Sequence, residues 1–157
     1  MNILVGYTGG TDLDRTVFAL AKQHAKQFDA KLFIATSMSA LKKKQPSHFI
    51  INPKPSQEIW RSALEAATEE GTSELDKIEN DLKEMKASAE REGIPCETHL
   101  LIQSLTPGEA LVEFAKDNKV DEIFIGIEKT SKVGKLLFGS NAQYIILEAP
   151  CPVVSTK

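Results

Sequence analysis

The chain of 157 residues is 41% hydrophobic, 26% charged and 6% aromatic, the size and mix of one folded domain, which excludes a disordered tail, a coiled-coil rod and a disulfide-stapled miniprotein. Its 19 Lys and Arg against 22 Asp and Glu leave a formal net charge of -3, so no excess of positive charge exists to hold a nucleic-acid backbone. The longest apolar runs, residues 123–127 and 144–147, fall far short of the roughly 20 residues of a spanning helix, and no basic-then-apolar leader opens the chain. No membrane is expected, and the expected location is cytoplasmic.

In chain order, residues 2–7 form a short β-branched apolar run, a buried strand, followed at once by the turn Thr8-Gly9-Gly10-Thr11. Thr11 with Asp14 three residues later predicts a capping-box helix start, and Val17, Leu20, Ala21, Ala25 and Phe28 recur at helical spacing as its inward face up to Asp29. Residues 31–36 read as a second strand, parallel to the first through a right-handed crossover. Residues 37–55, with Lys42, Lys43 and Lys44 and prolines at 46, 53 and 55, read as a long loop. The lysine triplet is a solvated charge run, whereas Phe49-Ile50-Ile51 needs a pocket or a partner. Beyond Ser56, Trp60, Leu64, Ala67, Leu75, Ile78, Leu82, Met85 and Ala89 step by three and four residues. That predicts one long amphipathic helix, or two joined near Gly71, stopped by Gly93-Ile94-Pro95.

Residues 97–103 predict a third strand. Thr106-Pro107-Gly108-Glu109 then opens a helix with a capping Thr, Pro at its first position and Glu at its third; Ala110, Leu111, Phe114 and Ala115 point inward, and it ends at Asn118. Residues 121–126 are the most strand-like of the chain, apolar without alternation, and so an interior strand buried on both faces. A polar stretch follows Gly126 to Lys135. Ser140 and Gln143 predict a capping box for a last helix reaching Glu148, and Ala149-Pro150-Cys151-Pro152 breaks it before a terminal strand at 153–155. Five strands alternating with helices predict an α/β fold: a single doubly wound five-stranded parallel sheet with helices on both faces, one domain over 1–157, taking ligands at the carboxyl ends of its strands.

Cys96 and Cys151 lack CxxC spacing and read as small buried thiols of a reducing compartment, with a disulfide left open. His24, His48 and His99 have no metal-ligand spacing, so no metal site and no nucleophile with its base is expected. The glycines that matter lie after strands 1 and 4, where a backbone without side chains admits a phosphate or a base. Gly6-Tyr7-Thr8-Gly9-Gly10 is neither a dinucleotide fingerprint nor a P-loop. Gly126 ends strand 4, and Gly139-Ser140 opens the last helix, whose free N–H groups and dipole favour an anion.

On these residues the chain resembles the universal stress protein family over its whole length. The family's nucleotide pattern, Gly-x2-Gly-x9-Gly-Ser/Thr, stands as Gly126-Ile127-Glu128-Lys129, nine residues from Thr130 to Phe138, then Gly139-Ser140, followed by Ala149-Pro150-Cys151-Pro152-Val153-Val154. Two positions depart from it: Lys129 stands for the second glycine, and Thr8 for the Asp that ATP-binding members carry after strand 1. The resemblance implies a Rossmann-like fold and a regulatory or protective stress-response protein that binds ATP or a related adenine nucleotide, with Mg²⁺ only alongside the nucleotide. It places that ligand at Gly126, Lys129, Gly139 and Ser140, flanked by Ile125 and Asn141, with Gly6, Thr8 and Thr36 on the adenosine side. It also implies a homodimer through the edge strand 151–155, Pro152 limiting the pairing for want of an N–H. Lys129, with Lys132 and Lys135 near it in sequence, either clamps phosphate or fills the vacated site. The alternatives are therefore a nucleotide-free dimeric interaction module and, more remotely, a weak ATP hydrolase, for which no acid–base pair or metal cluster accompanies the loop. Protein partners are not legible in the sequence.

Overall fold

The computed structural model describes residues 1–39, 69–103, 105–128, 130–132, 135–137 and 139–157. The expected loop from residue 40 onward, the expected helix up to residue 68, and Lys129 lie outside the described residues. The elements are β1 (Asn2–Gly6), α1 (Asp12–Phe28), β2 (Lys31–Ser39), α2 (Glu69–Arg91), β3 (Cys96–Gln103), α3 (Pro107–Asp117), β4 (Glu122–Gly126), β5 (Thr130–Lys132), β6 (Lys135–Leu137), α4 (Ser140–Glu148) and β7 (Val153–Thr156). Five strands form one parallel sheet in the order β3-β2-β1-β4-β7.

The uninterrupted apolar runs are explained by burial on both faces. Side chains alternate across a strand, so Ile3, Val5, Leu32, Ile34 and Phe124 meet α1 and α2, while Leu4, Phe33, Ala35, Ile123 and Ile125 meet α3 and α4. No helix among the described residues is long and apolar enough to cross a membrane. Cys96 is buried and Cys151 partly so, both as free thiols.

Several boundaries differ from the sequence reading. β2 continues past Thr36 because Ser37, Met38 and Ser39 find ladder partners in Leu101, Ile102 and Gln103 of β3, so the loop expected from residue 37 does not begin there. Gly71 lies inside α2 and breaks nothing; Gly93, at φ 76°, ends the connection as expected. On α1 the inward stripe is Asp14, Val17, Phe18, Ala21 and Ala25. Leu20 and Phe28, expected inside, are 38% and 50% exposed: Leu20 falls on the flank of that stripe, and Phe28, though in line with it, is the last residue of the helix. The polar stretch after Gly126 contains a two-stranded antiparallel pair, β5 with β6. The terminal edge strand starts at Val153, so Cys151 and Pro152 precede it.

Candidate functional site

The chain winds from β1 toward β2 and β3 on one side, and from β4 toward β7 on the other, so the strand order reverses between β1 and β4. At such a switch point the crossover connections leave in opposite directions and open a crevice beyond the carboxyl ends of the strands. A cavity of about 280 Å³ occupies this place. Six of the nine residues expected from sequence line it: Gly6, Thr8, Thr36, Ile125, Gly126 and Asn141. Gly139 and Ser140 stand beside Asn141 at the start of α4 without lining the cavity, and Lys129 lies outside the described residues. Sequence reading missed Tyr7, Ser37 and the α3 and α4 residues Pro107, Leu111, Ala142 and Ile145. The sequence marks Pro107 as a helix start, but only the sheet order reveals that its helix begins at the crevice.

The helix ends around the cavity differ. α1 is closed by a full capping box between Thr11 and Asp14, and α3 by one between Thr106 and Glu109. α4 is not. Its N-cap is Gly139, with no side-chain cap, and its first intrahelical bond runs from Gln143 N–H to the Gly139 carbonyl at 3.0 Å. The capping box expected between Ser140 and Gln143 therefore does not form, because Ser140 is already the first helical residue rather than the cap. The first turn of α4 keeps its N–H groups uncapped by side chains, with the positive end of the helix dipole beside the cavity. The Asn141 Oδ1 accepts from the Gly108 N–H at 3.1 Å, tying the start of α3 to α4. A Cβ at Gly108 would lie 2.9 Å from the Asn141 carbonyl oxygen, so only glycine lets the two helices approach this closely.

Opposite α4, the turn after β1 is organised by one carboxylate. Asp14 is 3% exposed and accepts from five donors: the N–H groups of Thr8, Gly10 and Thr11 and the hydroxyls of Thr8 and Thr11, all at 3.0–3.1 Å. The sequence signal for Asp14 was its capping position alone. Tyr7 extends the same turn toward α2: its hydroxyl donates to Asp81 at 2.6 Å, and burial, reinforced by that carboxylate, raises its pKa well above the usual tyrosine range.

Gly126 has a packing reason of its own. A Cβ there would lie 2.6 Å from the Leu13 Cγ, so the first glycine of the motif seats a side chain of α1 against the end of β4. Among the described residues, the two histidine rings lie elsewhere. His24 Nδ1 meets Glu122 Oε2 at 2.7 Å, at the opposite end of β4 from the cavity. His99 packs against Phe33 and Phe114, where burial lowers its pKa. No group of three or more His, Cys, Asp and Glu placed to hold a metal occurs among the described residues.

Comparison with known proteins gives concordant findings. The model of the universal stress protein family matches residues 1–157. A universal stress protein of Methanocaldococcus jannaschii is 30% identical over 150 residues, covering 96% of this chain and 78% of its relative. Among solved structures, the universal stress protein of Archaeoglobus fulgidus in complex with dAMP superposes with a TM-score of 0.67 at 21% identity, covering 100% of this chain and 98% of that one. A universal stress protein in complex with cAMP gives 0.69 at 23% identity, covering 99% and 96%.

Proposed function

The chain belongs to the universal stress protein family, and we propose that its cavity at the β1–β4 switch point binds ATP or a related adenine nucleotide, making the protein a nucleotide-responsive regulatory or protective factor. The observation that carries this reading is the polarity of the cavity. The uncapped start of α4 offers N–H groups and a positive dipole end at one side, and the Thr8 turn with its buried Asp14 stands at the other. Phosphate belongs at α4 and the nucleoside between Thr8, Thr36 and Ser37. The Ser37 Oγ, buried and without a hydrogen-bond partner among the described residues, lines the nucleoside side. Complexes of family relatives with dAMP and cAMP support the ligand class. The volume, about 280 Å³, lies just below the usual range of ligand sites, about 300–1,000 Å³, which suits a ligand no larger than a nucleoside and one phosphate. Further phosphates, with any Mg²⁺ they carry, would extend over the segment from Gly126 to Ser140. Calorimetric titration with AMP and with ATP plus Mg²⁺ tests the reading, and no heat from either overturns it.

Homodimerisation is the second part of the proposal. β7 is an edge strand, and beside it α4 exposes Tyr144, Ile146 and, at 70%, Leu147. An unpaired edge next to an apolar helix face is stabilised by pairing with a second copy. Light scattering on the protein and on Leu147→Lys should give a dimer and a weakened dimer; a monomeric parent overturns this part.

A further inference from the structure

Thr8 is the neutral residue standing where the family pattern has a carboxylate, and its surroundings define what it offers a ligand. The Thr8 hydroxyl lies 3.0 and 3.1 Å from the two oxygens of Asp14. Both are acceptors, so the single hydroxyl proton of Thr8 points to Asp14 and its lone pairs are what remains. Asp14 itself is buried and lies outside the lining of the cavity, whereas Thr8 is exposed and lines it. Resting on the nucleotide reading above, we propose that Thr8 and Asp14 act as one acceptor: Asp14 is a positioning residue that fixes the Thr8 hydroxyl proton inward, and Thr8 accepts a hydrogen bond from an N–H or O–H of the bound nucleoside.

Two consequences follow. The buried negative charge polarises the hydroxyl, so the bond Thr8 accepts is stronger than one to an isolated threonine. A ligand group with only lone pairs at this position is repelled, because Thr8 has no proton left to donate. The matching chemistry is a hydrogen-bond donor of the nucleoside, either a ribose hydroxyl or the adenine amino group.

Titration of the wild type with AMP, 2′-deoxy-AMP, 3′-deoxy-AMP and IMP separates these sources. One of the three analogues should bind about tenfold more weakly than AMP, the scale of one charge-assisted hydrogen bond. A deoxy form singles out a ribose hydroxyl, and IMP the amino group. In Thr8→Val, AMP should fall to the level of that analogue and the discrimination should vanish, while Thr8→Ser keeps it. Asp14→Asn should also erase the discrimination, a readout that mere loosening of the turn, which weakens all four ligands alike, does not give. Thermal melting run in parallel identifies any variant that fails to fold, and Thr8→Val, which leaves the Thr8 N–H bond to Asp14 in place, keeps the test decisive. Equal discrimination in the wild type and Thr8→Val overturns the inference while the nucleotide reading stands. Absence of binding by the wild type to any of the four removes both.

Discussion

Gly126 is the residue at which a packing explanation and a ligand explanation make opposite predictions. Its backbone is ordinary strand, with no positive φ to demand glycine. The constraint is spatial: a Cβ would stand 2.6 Å from Leu13 Cγ and 2.8 Å from its Cδ2, closer than carbon atoms pack. Gly126→Ala must therefore displace Leu13, and inserting a methyl into a filled site costs typically 1–3 kcal/mol. Against this, alanine restricts the unfolded chain and returns about 0.4–1 kcal/mol. The net expectation is a loss of about 0.5–2 kcal/mol, a fall in Tm of roughly 2–6 °C for a chain of this length. In a Leu13→Ala background the clash is gone, so the same substitution should become neutral or stabilising by the unfolded-state contribution. A double-mutant cycle by urea unfolding measures the coupling. An identical cost of Gly126→Ala in both backgrounds refutes the packing argument. If AMP still binds Leu13→Ala/Gly126→Ala, the glycine serves α1 rather than the ligand.

Two further outcomes are expected. Glu92 accepts from the ammonium groups of Lys22 and Lys26, each at 2.5 Å, and these hydrogen bonds bring its pKa down to about 2. A folded-state pKa below the unfolded one stabilises at pH above the ordinary glutamate value of 4.5 and loses that stabilisation as pH falls through about 2. The Tm difference between wild type and Glu92→Gln, small because the pair is exposed, should therefore shrink between these two pH values, and a difference constant with pH contradicts it. Thr8→Asp places a second carboxylate against Asp14 and should destabilise by roughly 1–3 kcal/mol at neutral pH. Adding Asp14→Ser should recover most of that loss in the same melting assay, and a stable Thr8→Asp single variant contradicts the reasoning.

The sheet was legible because its signals are local. Apolar runs such as Ile3-Leu4-Val5 and Ile123-Phe124-Ile125 sit on strands buried on both faces, and Thr11 with Asp14 and Thr106 with Glu109 cap as their spacing predicts. Most of the failures depend on a partner distant in sequence, and the others on where a helix begins or ends. β2 extends through Ser37 to Ser39 because β3 lies alongside, and Leu20 lies exposed because Phe18 and Ala21 meet the sheet instead, while Phe28 is exposed at the last position of α1. At α4 the Ser-x-x-Gln spacing is right for a capping box, yet the helix begins one residue earlier, at Ser140. The lining contributed by Pro107 and Leu111 required knowing that α3 starts at the same crevice as α4.

Asp14 joins these two kinds of information. Its capping role was readable from a three-residue spacing and is confirmed by the Asp14 N–H donating to Thr11 Oγ1 at 3.1 Å. What spacing alone did not reveal is that the same carboxylate reaches back across Gly9 and Gly10, both at positive φ, to hold Thr8. A helix capping group normally satisfies its own first turn; here the loop folds over it so that the negative charge sits directly behind the residue facing the cavity. Compared one position at a time, threonine for aspartate after β1 is the loss of a charge. Considered as a turn, the charge is retained one side chain away, and a single hydroxyl carries its acceptor character to the cavity.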